Sequence, residues 1–156
     1  MGTPFYVDTS VWNYAVAPEM GESYDATIEF FEHAGLLDWN LIVSELVEIE
    51  VEQTPGLKKT SIKSFMDNRI GEVLPVTLEI RDLAMRYIAE GVVTSNHLND
   101  AIHVAAASVN QCDFLVTWNF KHLANIRKET KFLAVNALSG YNGEIRICTP
   151  LEVYEI

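Results

Sequence analysis

The sequence predicts an α/β fold in which helices cover both faces of a mostly parallel sheet of about five strands. Short β-rich runs alternate along the chain with longer segments of helical periodicity, as in successive βαβ units. Residues 114–117 are almost wholly apolar, which is typical of a strand covered on both faces. With 156 residues and 49% hydrophobic composition, the chain can bury one core, so we predict a single domain over residues 1–156.

The first third of the chain supplies two predicted strands and the helices that follow them. Residues 4–8 form the first strand, and Thr9 with Ser10 can cap a helix directly after it. A helical pattern covers residues 23–37, and the second strand follows at residues 41–43. Each strand is therefore followed by a helix, as a parallel sheet requires.

The middle of the chain continues the alternation. Ser44 can cap a helix that carries Glu50, and the Thr-Pro-Gly sequence at residues 54–56 breaks that helix. Helical periodicity resumes at residues 57–69, and residues 72–76 form the third strand. The remaining predicted elements are helices at 77–91, 95–109 and 130–138 and strands at 114–117 and 145–148.

Four acidic and amide residues are predicted to meet at one edge of this sheet. Asp8 and Asn119 each follow a strand, and Asp100 lies in the first turn of a helix, where the helix dipole favours the ionised carboxylate. Ligands of open α/β sheets bind beyond the carboxyl ends of the strands. Glu50 lies about two turns into its helix, on the predicted inward face with Leu46, Ile49 and Gln53, whereas the other glutamates of that helix point elsewhere. Converging carboxylates repel each other unless a cation such as Mg²⁺ or Mn²⁺ joins them.

The charge of the chain limits the classes of function. A formal net charge of −11 excludes the broad basic footprint of a non-specific nucleic-acid binder. A nucleic-acid substrate would have to contact one of two local basic stretches, residues 57–69 and 121–131, which are equally consistent with solvated helix faces.

Compartment and redox state follow from what the sequence contains. Cys112 and Cys148 match no zinc or CxxC spacing and are predicted to be buried thiols. No signal peptide is recognisable and no stretch has the length of a membrane span, so we expect a cytoplasmic protein that does not bind membranes.

Five segments, in the same order along nearly the whole chain, resemble PIN-domain proteins of the kind found as toxins of VapBC-type toxin–antitoxin pairs. They are FYVDTSVW, SELVEIE, LNDAIHVAAA, DFLVTWNFKHLAN and NALSGYNGEIRICTP. Each motif alone is weak, because a DTS or DAxxxA sequence is common by chance, but the five in register are specific.

The resemblance implies a Mg²⁺- or Mn²⁺-dependent ribonuclease with a PIN-like fold, expected to be a homodimer and to have an antitoxin partner. Asp8, Glu50 and Asp100 match the three metal-binding acids of the family, and together with Asn119 they are the predicted catalytic residues. The family commonly has a fourth acid where this chain has Asn119, an amide that can coordinate or orient a water but brings no charge.

Hydroxyl residues near the same edge are secondary candidates. Thr9 and Ser10 match small hydroxyl residues that approach the metal water or the phosphate in relatives, and Thr117 precedes Trp118 and Asn119 at the end of a strand. Helix capping explains the first two equally well.

Two other classes of function stay open from the residues alone. The chain could be a catalytically weak or inactive PIN-fold binding or regulatory module, with Asn119 marking lost activity, or a small-substrate phosphatase or receiver-like domain, although no Lys follows a strand in the required way. His103 and His122 are interpreted as hydrogen-bonded structural histidines. The tryptophans are expected in the core or at a dimer face.

Overall fold

The computed structural model describes residues 2–155 and contains a five-stranded sheet in which every pairing is parallel. The strand order is β3-β2-β1-β4-β5, so β1 lies at the centre. The predicted α/β fold is thus confirmed. The strands are β1 Pro4–Val7, β2 Asn40–Ser44, β3 Glu72–Leu74, β4 Phe114–Val116 and β5 Arg146–Cys148.

Helices connect the strands and cover both faces of the sheet. Side chains alternate between the two faces along a strand, and in β1 Phe5 packs against Phe30 while Tyr6 points to His103. Those two contacts lie on helices at opposite faces. The helices are α1 Thr9–Tyr14, α2 Glu22–Leu36, α3 Glu45–Glu52, α4 Leu57–Met66, α5 Leu78–Ala89, α6 Leu98–Val109 and α7 Ile126–Leu138.

Two residues at predicted helix starts, Ser44 and Thr77, cap their helices through hydrogen bonds. The Ser44 hydroxyl oxygen accepts from the Leu46 N–H at 3.2 Å, and Thr77 accepts from the Ile80 N–H at 3.2 Å. Each bond satisfies an N–H group that has no partner within its own helix. The Ser44 cap fixes where α3 begins, and it therefore sets the position of Glu50 relative to the sheet edge.

Two helix starts differ from the prediction. Helix α7 begins at Ile126, a turn before residue 130, because Asn125 caps it by accepting from the Lys128 N–H at 2.9 Å. Ser95 does not cap α6, because it lies in a short 3₁₀ turn that precedes the helix start at Leu98. In both cases a local polar side chain or turn, rather than apolar periodicity, sets the boundary.

The interior contains the aromatic and thiol residues expected there. Trp12 and Trp118 are buried, and Trp39 stacks on Phe5 with ring centroids 4.3 Å apart. Cys112 and Cys148 are free, buried thiols, and burial raises the pKa of each to about 12. Within residues 2–155, no helix has the length and apolarity to cross a membrane.

Candidate active site

Asp8 stands at the carboxyl end of the central strand and is held there from both sides. Its backbone N–H donates to the Val116 carbonyl of β4 at 3.0 Å, which extends the parallel ladder by one residue. Its carboxylate Oδ2 accepts from the Thr117 hydroxyl at 2.6 Å and from the Ser10 hydroxyl at 2.9 Å. The residue is only 6% exposed. Two hydroxyl donors therefore fix the rotamer of Asp8.

Glu50 reaches the same point from α3. Its Oε1 accepts from the Thr9 hydroxyl at 2.6 Å and lies 2.7 Å from His103 Nε2. Its Oε2 accepts from the Asn99 amide at 3.3 Å. The inward position predicted for Glu50 is thus present, although Ile49, predicted on the same face, is half exposed.

Asp100 and Asn119 form the far side of the site. The Asn119 amide Nδ2 donates to Asp100 Oδ2 at 3.2 Å, and the Asn119 Oδ1 accepts from the His122 N–H at 3.1 Å. His97 Nδ1 lies 3.6 Å from the same Asp100 oxygen, and the His97 and His122 rings stack with centroids 3.8 Å apart. Asn119 therefore orients Asp100 through its amide, where a fourth acid would have repelled it.

The structure brings all seven predicted residues into one polar network, but its most compact group of ligand atoms differs from the predicted acid trio. Ligand atoms of Asp8, Glu50 and His103 lie within 4.8 Å of one another. That group does not include Asp100, which is linked instead to Asn119 and His97. The hydroxyls of Thr9, Ser10 and Thr117 all donate to the carboxylates. The prediction that Thr9 and Ser10 cap a helix is wrong, because both lie inside α1, after Asp8 at its N-cap position.

His103 sits among the carboxylates with 1% of its surface exposed. Burial disfavours its charged form, but the Asp8 carboxylate and the hydrogen bond to Glu50 outweigh burial and raise the pKa of His103. Burial likewise opposes ionisation of Glu50, yet the hydrogen bond and charge of His103 lower the pKa of Glu50. The imidazole thus offsets part of the repulsion between the two carboxylates.

Asp100 shows the opposite shift. Burial is the largest cause that raises its pKa, and the nearby Asp8 carboxylate raises it further. The position in the first turn of α6 was expected to favour the ionised form through the helix dipole. In the folded protein, burial and the neighbouring Asp8 carboxylate oppose ionisation of Asp100, and a bound cation would favour it.

The chemistry of these donors fits a divalent cation. Carboxylate oxygens are the ligands that Mg²⁺ and Mn²⁺ prefer, and Asp8, Glu50 and Asp100 offer three carboxylates within one network. Asp8 Oδ1 is turned away from the Thr117 and Ser10 hydroxyls, which both bond Oδ2. A cavity of about 1200 Å³ lies elsewhere, near Trp39, Asn40 and Gly71, and neither Asp8, Glu50 nor Asp100 lines it.

The sequence interpretation missed the place of His103 in the cluster. A hydrogen-bonded histidine was expected, and the ring is indeed bonded on both nitrogens, to Tyr6 and Glu50. Its involvement with the acids had one signal in the sequence. Residues three apart on a helix share a face, so His103 follows Asp100 toward the sheet edge where Asp8 ends its strand.

An all-parallel α/β sheet with carboxylates gathered at the carboxyl end of its central strand defines a class of acidic-site α/β domains. The chain belongs to the PIN domain family, whose model matches residues 5–128. This finding confirms the resemblance inferred from the five motifs. No curated protein sequence matches the chain significantly.

A solved structure supports the fold assignment. The chain is similar to a chain of the crystal structure of VapBC2 from Rickettsia felis bound to a DNA fragment from their promoter. The TM-score is 0.56 at 16% sequence identity, and the match covers 93% of this chain and 98% of that chain. At this identity the similarity is one of fold.

Asn119→Asp tests the role of the amide beside Asp100. We expect the variant to lose about 1–3 kcal/mol of unfolding free energy in EDTA, because a hydrogen bond to a charged group is replaced by like-charge repulsion. Mn²⁺ should raise its melting temperature more than that of the parent protein. Thermal unfolding with and without Mn²⁺ measures both effects. Asn142→Asp, in an exposed loop, makes the same charge change as a control, and equal stability of the two variants in EDTA would contradict the assignment.

Proposed function

We propose that the protein is a divalent-cation-dependent endoribonuclease and the toxin of a toxin–antitoxin pair. The observation that carries the proposal is the convergence of Asp8 and Glu50, with Asp100 in the same network, at the carboxyl edge of the sheet in a PIN-family chain. Three carboxylates in one partly buried network are costly without a cation. Mg²⁺ and Mn²⁺ are the ions that their hard oxygens suit best.

The residues of the site divide into holders of the cation and supports of those holders. When bound, a divalent cation polarises a phosphoryl oxygen and lowers the pKa of a coordinated water. Asp8 and Glu50 would hold the cation, with Asp100 beside them. Thr117 and Ser10 fix the Asp8 carboxylate, and Thr9 fixes that of Glu50.

RNA is the substrate we propose, and the segment after Asn119 is suited to contact it. Phe120 is 56% exposed and can stack on a base, while Lys121 is exposed and can pair with a phosphate. The His122 N–H that donates to Asn119 keeps this segment close to Asp100. Local contacts of this kind allow a chain of net charge −11 to bind a polyanion.

The partner we propose is an antitoxin protein that covers the site. The fold match to a VapBC2 complex supports this partner, and a basic antitoxin segment would suit the negative charge of the chain. We further propose a single-domain, cytoplasmic protein that forms a homodimer. The protein is co-expressed with its neighbouring genes and purified. If no inhibitor or other protein co-purifies with it, the proposal of an antitoxin partner is contradicted.

The decisive experiment combines cation binding with cleavage. Purified protein is incubated with structured RNAs in Mn²⁺, in Mg²⁺ or in EDTA, and RNA fragments and melting temperature are measured together. We expect fragments only with a cation, and a rise in melting temperature with cation concentration, because only the folded protein has the site.

The outcomes separate the remaining classes of function. A melting temperature that rises with Mn²⁺ while RNA stays intact indicates a binding or regulatory module. A melting temperature that does not respond, with no cleavage, indicates a degenerate site. Hydrolysis of a small phosphate ester without RNA cleavage indicates a phosphatase.

A further inference from the structure

We propose that His103 Nε2 is itself a ligand of the bound cation, so that the site is a mixed nitrogen and oxygen site that prefers Mn²⁺ to Mg²⁺. The proposal rests on the cation dependence of the proposed function and goes beyond it, because it adds a nitrogen ligand and selects the metal. Asp8 and Glu50 supply the carboxylate ligands of the same ion.

The distances within the cluster suit neighbouring ligands of one ion. Adjacent ligands of an octahedral ion with bonds of about 2.1 Å lie about 3 Å apart. His103 Nε2 lies 2.7 Å from Glu50 Oε1 and 3.4 Å from Asp8 Oδ1. These separations bracket that value, and the ligand atoms of all three residues lie within 4.8 Å of one another.

The surroundings of the ring allow the tautomer that a metal ligand needs. Coordination through Nε2 requires the ring proton on Nδ1, which must then donate to an acceptor. The Tyr6 hydroxyl lies 2.7 Å from Nδ1, and the Ser44 hydroxyl lies 2.7 Å from that of Tyr6. Nδ1–H can donate to the Tyr6 oxygen while the Tyr6 O–H donates to Ser44. A metal-bound histidine normally has a partner of this kind on its second nitrogen.

The same chain of groups serves the protein without a cation. Without a cation, Nε2–H can donate to Glu50, while the Tyr6 hydroxyl lies between Nδ1 and the Ser44 hydroxyl. A cation would take the place of the Nε2 proton, which is released to solvent, so the His103–Glu50 hydrogen bond would be lost while Nδ1–H, Tyr6 and Ser44 stay hydrogen-bonded. The buried ring is therefore organised for both states of the site.

The nitrogen ligand decides the choice of metal. Mg²⁺ takes oxygen ligands almost exclusively and gives up its waters reluctantly, whereas imidazole suits the first-row transition ions. Mn²⁺ accepts both imidazole nitrogen and carboxylate oxygen. We therefore expect Mn²⁺ to bind about tenfold more tightly than Mg²⁺. A factor of this size matches the effect that single residues around a metal site have on its affinity.

Electron paramagnetic resonance of the protein with MnCl₂ alone tests the ligand directly. We expect hyperfine coupling to one imidazole nitrogen, which changes when the protein is prepared with ¹⁵N-labelled histidine. The coupling should disappear in His103→Gln and persist in His33→Gln, a control at a half-buried histidine of α2 outside the site. Absence of nitrogen coupling in the unsubstituted protein overturns the proposal.

Two further variants keep the test decisive. His97→Gln tests whether the nearby His97 is the nitrogen ligand instead. Loss of the coupling in His97→Gln together with its retention in His103→Gln overturns the proposal. If His103→Gln does not fold, Tyr6→Phe replaces it, and we expect weaker Mn²⁺ binding in thermal titrations with a smaller change for Mg²⁺. Equal loss of affinity for both ions overturns the proposal.

The spectroscopy needs no RNA, so its outcome is independent of cleavage. Nitrogen coupling without RNA cleavage refutes the proposed nuclease activity alone. Mg²⁺-supported cleavage without nitrogen coupling refutes the His103 ligand alone.

Discussion

Asp8→Asn is expected to lower the rate of Mn²⁺-dependent RNA cleavage by about 100- to 1000-fold or more, the scale of losing one electrostatic group at a reacting centre. Asparagine has the shape of aspartate and can still accept from Thr117, which donates to Asp8 Oδ2 at 2.6 Å. The variant therefore keeps the local packing but loses the negative charge and places an amide N–H group where Asp8 Oδ1 faces His103. Its melting temperature should no longer rise on addition of Mn²⁺.

Glu48→Gln is the matched control for this charge. Glu48 is exposed on α3, the helix that carries Glu50, and its substitution removes one negative charge from the same side of the molecule. Cleavage and the response to Mn²⁺ should stay close to those of the parent protein. Full activity of Asp8→Asn, measured under the same conditions, would refute the assignment of Asp8 as the main cation ligand.

Trp12→Ala is expected to lower the unfolding free energy by about 3–5 kcal/mol, the cost of emptying a large aromatic site in a core. The Trp12 ring is fully buried, and its centroid lies 4.8 Å from that of Phe31 and 6.3 Å from that of Phe65. Its indole N–H donates to the Val7 carbonyl at 3.2 Å, next to Asp8. The substitution therefore removes packing and leaves a buried carbonyl with one bond fewer.

Urea unfolding followed by circular dichroism measures this loss. Phe120→Ala removes an aromatic ring that is 56% exposed, and it should change the unfolding free energy by less than about 0.5 kcal/mol. Similar losses of unfolding free energy for the two variants would contradict the conclusion that Trp12 stabilises the packing of α1 against α2 and α4.

The sheet could be predicted because its signals are local. The alternation of β-rich runs and amphipathic helices predicts a parallel arrangement. Ser44 and Thr77 mark helix starts because their hydroxyl oxygens can accept from the first free N–H groups of a helix. Once strands are parallel, residues that follow them must share an edge. The placement of Asp8 and Thr117 at one edge of the sheet therefore followed from the pattern, whereas the hydrogen bond between them did not.

The inner geometry of the site could not be predicted in the same way. Whether Asn119 orients a water or bonds Asp100 depends on a rotamer, which is set by packing and by the His122 N–H. The position of His103 between Asp8 and Glu50 depends on how α6 rotates above β1, and Tyr6 fixes that rotation by its bond to the ring. Apolar periodicity also failed for Ile49, because α3 buries Leu46, Val47 and Val51 instead.

The hydrogen bond between Asp8 and Thr117 joins residues 109 positions apart, across the pairing of β1 with β4. A polypeptide emerging from the ribosome cannot complete this bond until Thr117 has left the exit tunnel, long after Asp8 and Glu50 have been synthesised. Contacts between such distant positions also form slowly in folding. A nascent or truncated chain that lacks Thr117 accordingly cannot hold the Asp8 carboxylate in the position it has in the folded protein.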